Sequence, residues 1–371
     1  MNIAIHISLP AHREVFLRPY FMTDLLPQLI RVSSAHRFFL ILDGFKTPDP
    51  LPEGVLVIAE RDKSGSPVSR FWWSRVTLPK LLRKHRIEAV LQVNQARTNF
   101  FGVGSTKQSE DCKRNTSGSF EEQRLFIYFE NPEEMPGRNS RNFAKAELVF
   151  AGSEHVARRL TTRKDLKVTR VKTVQRPSLP EFVPVNPDAR ELVRQTHSSG
   201  RNYFFYYGPV GKHLLSLIKA FSIFKKRQKS DWKLLIGGAV NMTDEPFIRS
   251  LGQYRYRDDL VLLNNLNPRD LPGLISSAYA LLFAQGQDPF MLPEVFASAV
   301  PVIAPDEPAF HGSWDHIVMY YEKDSQTSIA ENMMTIYKDE SKRSAMVREG
   351  RLLAESRTWE ALARDITAGL E

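Results

Sequence analysis

Short runs of hydrophobic residues alternate with amphipathic segments through the first half of the chain. Runs of strand length lie at Ile3–Ile7, Phe38–Leu42, Val55–Ile58, Ala89–Val93, Leu125–Phe129 and Leu148–Phe150. Apolar residues at helical spacing predict helices over Met22–Ile30, Phe71–Lys84 and Glu154–Leu160. Short apolar strands that alternate with helices are typical of a parallel sheet covered on both faces. A polar stretch over residues 105–124 interrupts this pattern and predicts a mobile loop.

The alternation of short apolar runs with amphipathic segments begins again after residue 200. The prolines between Arg176 and Gly200 predict irregular chain and a domain boundary. Strands are then predicted at Tyr203–Tyr207, Lys233–Ile236, Val261–Leu263, Ala280–Ala284 and Pro301–Ala304. Helices are predicted at Leu214–Arg227, Leu271–Ser277, Leu292–Ala299, Thr327–Lys338, Lys342–Ala354 and Thr358–Leu370. We therefore expect an α/β protein of two successive open sheets, with a ligand in the cleft at the carboxyl ends of the strands.

Length and composition agree with two domains. A chain of 371 residues is about twice a typical domain. No apolar run approaches the ~20 residues that span a bilayer, and the segment Met1–Ile7 favours a first strand over a signal peptide. The single cysteine, Cys112, cannot form an internal disulfide. These features favour a reducing, cytoplasmic setting.

Positive charge is concentrated in the first half, although the whole chain carries only +9. The segment from Arg158 to Arg176 contains eight Lys and Arg residues and only one acidic residue, and a second basic run covers Lys80–Arg86. The runs are either solvated faces or attract an anion such as a lipid headgroup or a phosphorylated acceptor. Nucleic acid is disfavoured because no recognisable binding motif accompanies the charge.

A glycine-containing turn joins a predicted strand to a predicted helix at residues 206–213. Gly208 and Gly211 allow close approach of the backbone, and Lys212 adds a positive charge. Such a turn offers free N–H groups and a positive dipole end to a phosphate. It is not a Walker A loop, since His213 stands where Ser or Thr would hold magnesium. Many similar turns bind nothing, so the pattern alone leaves both interpretations open.

A carboxylate interrupts the apolar segment at residues 289–303. Glu294 lies close to the start of a predicted helix, where it would stabilise the helix dipole. The alternative is that this side chain accepts hydrogen bonds from the vicinal hydroxyls of a ribose. The residue type and its position are compatible with both functions.

Taken together, these features resemble the C-terminal half of a GT-B glycosyltransferase of family 4, the group 1 glycosyl transferases. The resemblance extends over the segments 203–238, 259–271, 278–283, 296–303 and 358–360. It implies two doubly wound Rossmann-like domains facing across a cleft. Residues 1–195 would form the acceptor-side domain and residues 196–355 the donor domain, with 356–371 a helix that returns to the N-terminal domain. The implied activity is metal-independent transfer with retention from a nucleotide-diphosphate sugar, without a cofactor.

The resemblance also implies roles for individual residues. Lys212, with Gly208 and Gly211, would bind the donor diphosphate and neutralise charge on the leaving phosphate. Glu294 would hold the nucleotide ribose, and the departing diphosphate would help to deprotonate the acceptor. The base would be bordered by Leu263, Asn264, Asn265 and Leu266.

The sequence departs from the family pattern in three respects: at Gly286, in lacking the Arg that accompanies the loop Lys, and in the N-terminal domain, which lacks the Gly-rich first loop and the His expected near Glu130. Gly286 stands eight residues before Glu294, where the family has a carboxylate that contacts the transferred sugar. Substitutes would come from Gln285, Gln287 or Asp288, of which Asp288 is preferred. On the acceptor side, Glu130 is either a base for the acceptor hydroxyl or a solvated loop residue.

Two functional hypotheses result. The first is a transferase that modifies a polysaccharide, glycolipid or protein acceptor in the cytoplasm, with peripheral contact to an anionic membrane face. The second is a degenerate relative that binds nucleotide, sugar or a partner protein without turnover.

Overall fold

The computed structural model describes residues 1–8, 20–43, 51–61, 72–93, 123–129, 145–163, 170–238, 247, 251–252, 254–264, 266–287 and 289–371. The chain divides into two compact units. Residues Met1–Arg176 and Thr358–Glu371 form the first unit, and residues Pro177–Arg357 form the second.

The strands of the described residues are β1 (Asn2–Ser8), β2 (Arg37–Asp43), β3 (Val55–Arg61), β4 (Ala89–Val93), β5 (Arg124–Phe129), β6 (Leu148–Ala151), β7 (Val171–Thr173), β8 (Tyr203–Tyr207), β9 (Lys233–Gly237), β10 (Leu260–Leu262), β11 (Ala280–Leu282), β12 (Val302–Pro305) and β13 (Val318–Tyr321). Their helices are α1 (Leu26–Val32), α2 (Leu78–Lys84), α3 (Glu154–Thr162), α4 (Pro187–Ser198), α5 (Lys212–Gln228), α6 (Leu271–Ser277), α7 (Leu292–Ala297), α8 (Gln326–Lys338), α9 (Glu340–Glu355) and α10 (Trp359–Leu370). None of these helices is both long and apolar enough to cross a membrane.

Each unit contains one parallel sheet. The order in the first unit is β3-β2-β1-β4-β5-β6-β7, and in the second it is β10-β9-β8-β11-β12-β13. In each sheet the second and third strands of the unit are added one after another on one side of its first strand, and the later strands are added on the other side. This strand order is the Rossmann arrangement. The predicted α/β class with two Rossmann-like sheets is confirmed.

The prediction for the segment before residue 200 was wrong. Irregular chain was expected from Arg176 to Gly200, but α4 occupies Pro187–Ser198. The Asn186 side chain caps this helix by accepting the Ala189 N–H at 2.8 Å. Proline at the first helical position is compatible with a helix, because its missing N–H has no intrahelical partner there. The short strands β7 and β13 were also missed.

The C-terminal helix α10 packs within the first unit. Its buried face is formed by Leu362, Ala363, Ile366, Thr367 and Leu370. The hydroxyls of Thr367 and Ser33 lie 2.7 Å apart, and Arg124 Nη1 donates to the Leu370 carbonyl at 2.8 Å. A Cβ at Gly369 would lie 2.7 Å from the Phe150 ring, so glycine allows the helix to approach β6 closely.

Aromatic residues form much of the core of the second unit. Phe204 on β8 contacts the rings of Phe221, Phe224 and Trp232 at centroid distances of 6.5, 5.1 and 5.3 Å. These contacts fix α5 against β8. The N-terminus of α5 therefore lies just beyond the carboxyl end of β8.

Candidate functional site

The strand order of the second unit reverses between β8 and β11, which are neighbours in the sheet. The loops that follow these strands diverge, and this edge of an open α/β sheet is where ligands bind. The side chain of Gln287 joins the two loops. Its Nε2 donates to the Tyr207 carbonyl at 2.6 Å, and its Oε1 accepts the Ala284 N–H at 3.0 Å.

The loops after β8 and β9 contact each other closely because Gly208 and Gly238 have no side chains. We call this contact the glycine crossing. The Gly208 N–H donates to the Gly237 carbonyl at 3.1 Å. Gly238 has a φ of +111°, and a Cβ there would lie 2.5 Å from the Gly208 carbonyl oxygen. A Cβ at Gly208 would lie 2.9 Å from Gln287 Nε2. A Cβ at Gly211, in contrast, would meet no described atom within 4 Å.

Helix α5 begins at Lys212, immediately after this crossing. Gly211 precedes it without a side-chain cap, so the first N–H groups and the positive dipole end remain available to an anion. Lys212 is exposed and has no hydrogen bond or ion pair to the residues that the structure describes. A backbone amide nest beside a free ammonium group is suited to bind a phosphate.

The first turn of α5 is connected to the loop after β11 through Gln285. With the amide oriented to satisfy its neighbours, the Gln285 nitrogen lies 3.2 Å from His213 Nδ1 and donates to Asp324 Oδ1 at 2.8 Å. Gln285 is only 7% exposed. The side chains of Gln285 and Gln287 therefore connect the loop after β11 to the neighbouring loops by hydrogen bonds. Both amides are already engaged within the protein.

Sequence reasoning missed a carboxylate at this loop. The Gly286 N–H donates to Glu307 Oε2 at 3.0 Å. Glu307 follows β12, which is the neighbour of β11 in the sheet. The one feature of the sequence that could have pointed to Glu307 was the predicted strand Pro301–Ala304, which ends shortly before it. Residues that follow neighbouring parallel strands lie at the same edge of the sheet.

Glu294 lies in the first turn of α7 and is 1% exposed. Its Oε1 accepts the Leu179 N–H at 3.3 Å. In this conformation the carboxylate is enclosed by protein and anchors the chain that leads to α4. Its role in holding a ribose remains a prediction.

The residues predicted to border a base lie after β10. Leu263 and Leu266 are half-buried and Asn264 is exposed. The Leu263 N–H donates to the Ile236 carbonyl of β9 at 2.8 Å, so it lies at the same sheet edge as the glycine crossing. The remaining predicted site residues, Asn265, Asp288 and Glu130, lie outside the described residues. Within the described part of the chain, no group of three or more His, Cys, Asp or Glu could hold a metal ion.

An ionic cluster fixes the loop that carries Glu307. His311 lies between two carboxylates, with Nε2 2.7 Å from Asp306 Oδ1 and Nδ1 3.2 Å from Asp315 Oδ2. The Asp306 hydrogen bond is the main cause of a raised pKa of His311, against the effect of burial. Burial would raise the pKa of Asp315, but hydrogen bonds from Gly312, Tyr320 and His311 lower it overall. The imidazolium form of His311 is therefore favoured in the folded state.

We expect this cluster to make stability depend on pH. A raised pKa in the folded state stabilises the fold fully below about 6.5, the ordinary value for histidine, and this contribution disappears as the pH rises through the raised pKa. The difference in unfolding free energy between wild type and His311→Asn should therefore be largest at acidic pH and shrink at alkaline pH. Denaturant unfolding from pH 5 to 9 measures it. The control makes His311→Asn in an Asp306→Asn background, where the pH dependence should be smaller because the main cause of the raised pKa of His311 is absent. A His311→Asn difference that is constant or grows with pH would contradict the assignment.

Comparison with known proteins agrees with this geometry. Residues 189–367 match the family model "Glycosyl transferases group 1". Among the curated proteins, none is significantly similar to the chain. Solved structures of similar fold include a glycosyltransferase from Rickettsia africae (13% identity, TM-score 0.68, covering 100% of this chain and 97% of that one). A second is sucrose-phosphate synthase from Thermosynechococcus elongatus (11%, 0.65, 99% and 97%). A third is Anabaena HepE in complex with UDP and glucose (13%, 0.65, 100% and 99%).

The family match covers the unit that contains the glycine crossing, Lys212 and Glu294. The structural neighbours extend over the whole chain and share its two-sheet architecture. The resemblance inferred from the motifs is thereby confirmed at the level of family and fold. Residues 189–367 are thus similar to the group 1 glycosyl transferases, and the whole chain has the GT-B fold.

Proposed function

We propose that the second unit binds a nucleotide-diphosphate sugar and that the protein is a retaining, metal-independent transferase of the family 4 type. The observation that carries this proposal is the glycine crossing beside the uncapped N-terminus of α5. There, the uncapped first turn of α5 and the exposed side chain of Lys212 follow directly after the glycine crossing. HepE, one of the structural neighbours, was solved with UDP and glucose, and we extend this kind of donor to the present chain.

In this mechanism Lys212 and the first N–H groups of α5 stabilise negative charge on the departing diphosphate. Such preorganised stabilisation is worth a few kcal/mol of transition-state energy. The departing phosphate would accept the proton of the acceptor hydroxyl, so no separate base is required. The acceptor is a polysaccharide, a glycolipid or a protein. The basic runs of the first unit would attract an anionic acceptor or membrane surface.

A second candidate function is binding without turnover. Gly286 favours it, because the carboxylate that the family has at this position is missing. Sugar-nucleotide hydrolysis or transfer distinguishes the two, since a degenerate relative would bind the donor and leave it intact.

We expect UDP, GDP or ADP, with its sugar conjugate, to raise the unfolding temperature of the protein. A ligand at about 100 times its Kd stabilises the folded state by about 2.7 kcal/mol. Lys212→Ala should abolish this shift, because it removes the charge that pairs with the diphosphate. A thermal-shift titration with each nucleotide and each sugar nucleotide is the measurement.

The matched control is Lys219→Ala, which removes another exposed lysine from the same helix. This variant should bind the nucleotide as wild type does. Absence of any shift in wild type would refute the donor site. Equal losses in the two variants would show that Lys212 acts only through the general charge of α5.

A further inference from the structure

The structure brings a carboxylate to the loop where the sequence lacks one. A continuous series of neighbours connects it to the phosphate site. His213 follows Lys212, its Nδ1 lies 3.2 Å from the Gln285 amide nitrogen, and Gly286 follows Gln285. The Gly286 N–H then donates to Glu307 Oε2 at 3.0 Å. Glu307 therefore belongs to the same rim of the sheet as the N-terminus of α5.

The Glu307 side chain retains capacity for a ligand. It is half-buried, and among the described residues its side chain makes one hydrogen bond, from Gly286, and no ion pair. A carboxylate has about four lone-pair sites, so one N–H leaves most of them available. A Cβ at Gly286 would meet no described atom within 4 Å, so there is open space beside the bond.

The backbone of Glu307 is held in place. Its N–H donates to the Pro305 carbonyl at 2.8 Å, and its own carbonyl accepts the Phe310 N–H at 2.9 Å. The neighbouring Asp306 is bound by His311 at 2.7 Å. The fixed backbone and the hydrogen bond from Gly286 to the carboxylate both restrict Glu307 before a ligand binds, which lowers the entropy lost on binding.

The charge of Glu307 defines its ligand. A carboxylate repels the anionic diphosphate that Lys212 attracts, so it does not bind phosphate. It does accept hydrogen bonds from neutral hydroxyls, and charge-assisted bonds of this kind are about twice as strong as neutral ones. The sugar of the donor is the hydroxyl-bearing group attached directly to the diphosphate. We infer that Glu307 binds the hydroxyls of the transferred sugar, in place of the carboxylate missing at Gly286.

This inference rests on the proposed donor site, and paired ligands test it. Calorimetric titration compares UDP with UDP-glucose, GDP with GDP-mannose and ADP with ADP-glucose, on wild type and on Glu307→Gln. The glutamine can still accept the Gly286 N–H, which protects the fold. For the pair that binds, we expect Glu307→Gln to lower the affinity for the sugar nucleotide about 10-fold or more and to leave the affinity for the bare nucleotide unchanged.

The control Glu322→Gln makes the same change directly after β13, at an exposed residue of the same sheet edge. It should bind both members of the pair as wild type does. If Glu307→Gln binds the sugar nucleotide as tightly as wild type, or loses both ligands equally, the inference is overturned while the donor site stands. If wild type binds neither member of any pair, the proposed function fails and this inference fails with it. Denaturant unfolding of each variant separates a loss of binding from a loss of fold.

Discussion

Ile366→Asp should unfold the first unit or leave it marginally stable. Ile366 is 0% exposed in α10, a helix that packs against α1. The substitution removes a buried aliphatic side chain, which costs about 2–5 kcal/mol. It also buries a carboxylate without a partner of opposite charge, which adds several kcal/mol unless the helix detaches. We expect the free energy of unfolding to fall by about 4 kcal/mol or more, a large part of typical domain stability.

The control places the same carboxylate on the exposed face of the same helix. Ala361 is exposed and lies in the first turn of α10, where a negative charge is compatible with the helix dipole. Ala361→Asp should therefore unfold within about 0.5 kcal/mol of wild type.

Hydrogen exchange followed by mass spectrometry reads the two units separately. In Ile366→Asp, peptides from residues 1–176 should lose protection, whereas peptides from residues 177–357 should keep it. Equal protection in the two variants would show that α10 contributes little to the first unit.

Gly238→Ala should disrupt the candidate phosphate site and destabilise the second unit. At a φ of +111° an alanine is strained, and its Cβ would lie 2.5 Å from the Gly208 carbonyl oxygen. The obstructing atom belongs to the backbone, so no side chain can turn aside to relieve the contact. Strain of about 1–3 kcal/mol and a similar cost of overpacking give a loss of about 2–6 kcal/mol. Since the loop after β8 must shift, nucleotide binding should be lost as well.

Gly211→Ala provides the matched control in the same turn. Gly211 has an extended backbone with φ 171°, and a Cβ there meets open space. The unfolding free energy of this variant should change by less than about 1 kcal/mol, because the restriction of the unfolded chain by alanine offsets the loss of a glycine at the N-cap of α5. Denaturant unfolding and the nucleotide thermal shift are measured on both variants. If the two alanines have equal effects on unfolding, the glycine crossing is not the constraint that we describe.

The periodicity of the chain predicted the elements whose residues are uniformly buried. Apart from His6, the residues of Ile3–Ile7 and Tyr203–Tyr207 are apolar or aromatic without alternation, as expected for a strand covered on both faces. Elements with a weaker pattern were missed. β7 is three residues long and only partly buried, and α4 begins at a proline within a proline-rich stretch. In both cases the local sequence pattern does not indicate the element, which is stabilised by its packing in the folded unit.

The candidate site divides in the same way. The turn with Gly208 and Lys212 could be located from the sequence, because its strand, glycines and helix follow one another directly along the chain. The importance of Gly238 could not, since the carbonyl that it faces lies 30 residues earlier, on a different loop. Nor could the engagement of Gln285 and Gln287, whose partners lie at the ends of other strands.

The sequence by itself determined the fold class, the resemblance to the group 1 glycosyl transferases and the position of the glycine-containing turn before α5, because each depends on residues that are close together along the chain. Only the tertiary structure decided which carboxylate accompanies that turn. Gly286 and Glu307 are 21 residues apart, and they meet because β11 and β12 are parallel neighbours whose carboxyl ends share one edge. Parallel pairing brings together residues that periodicity cannot relate, since the strand order depends on packing across the whole unit.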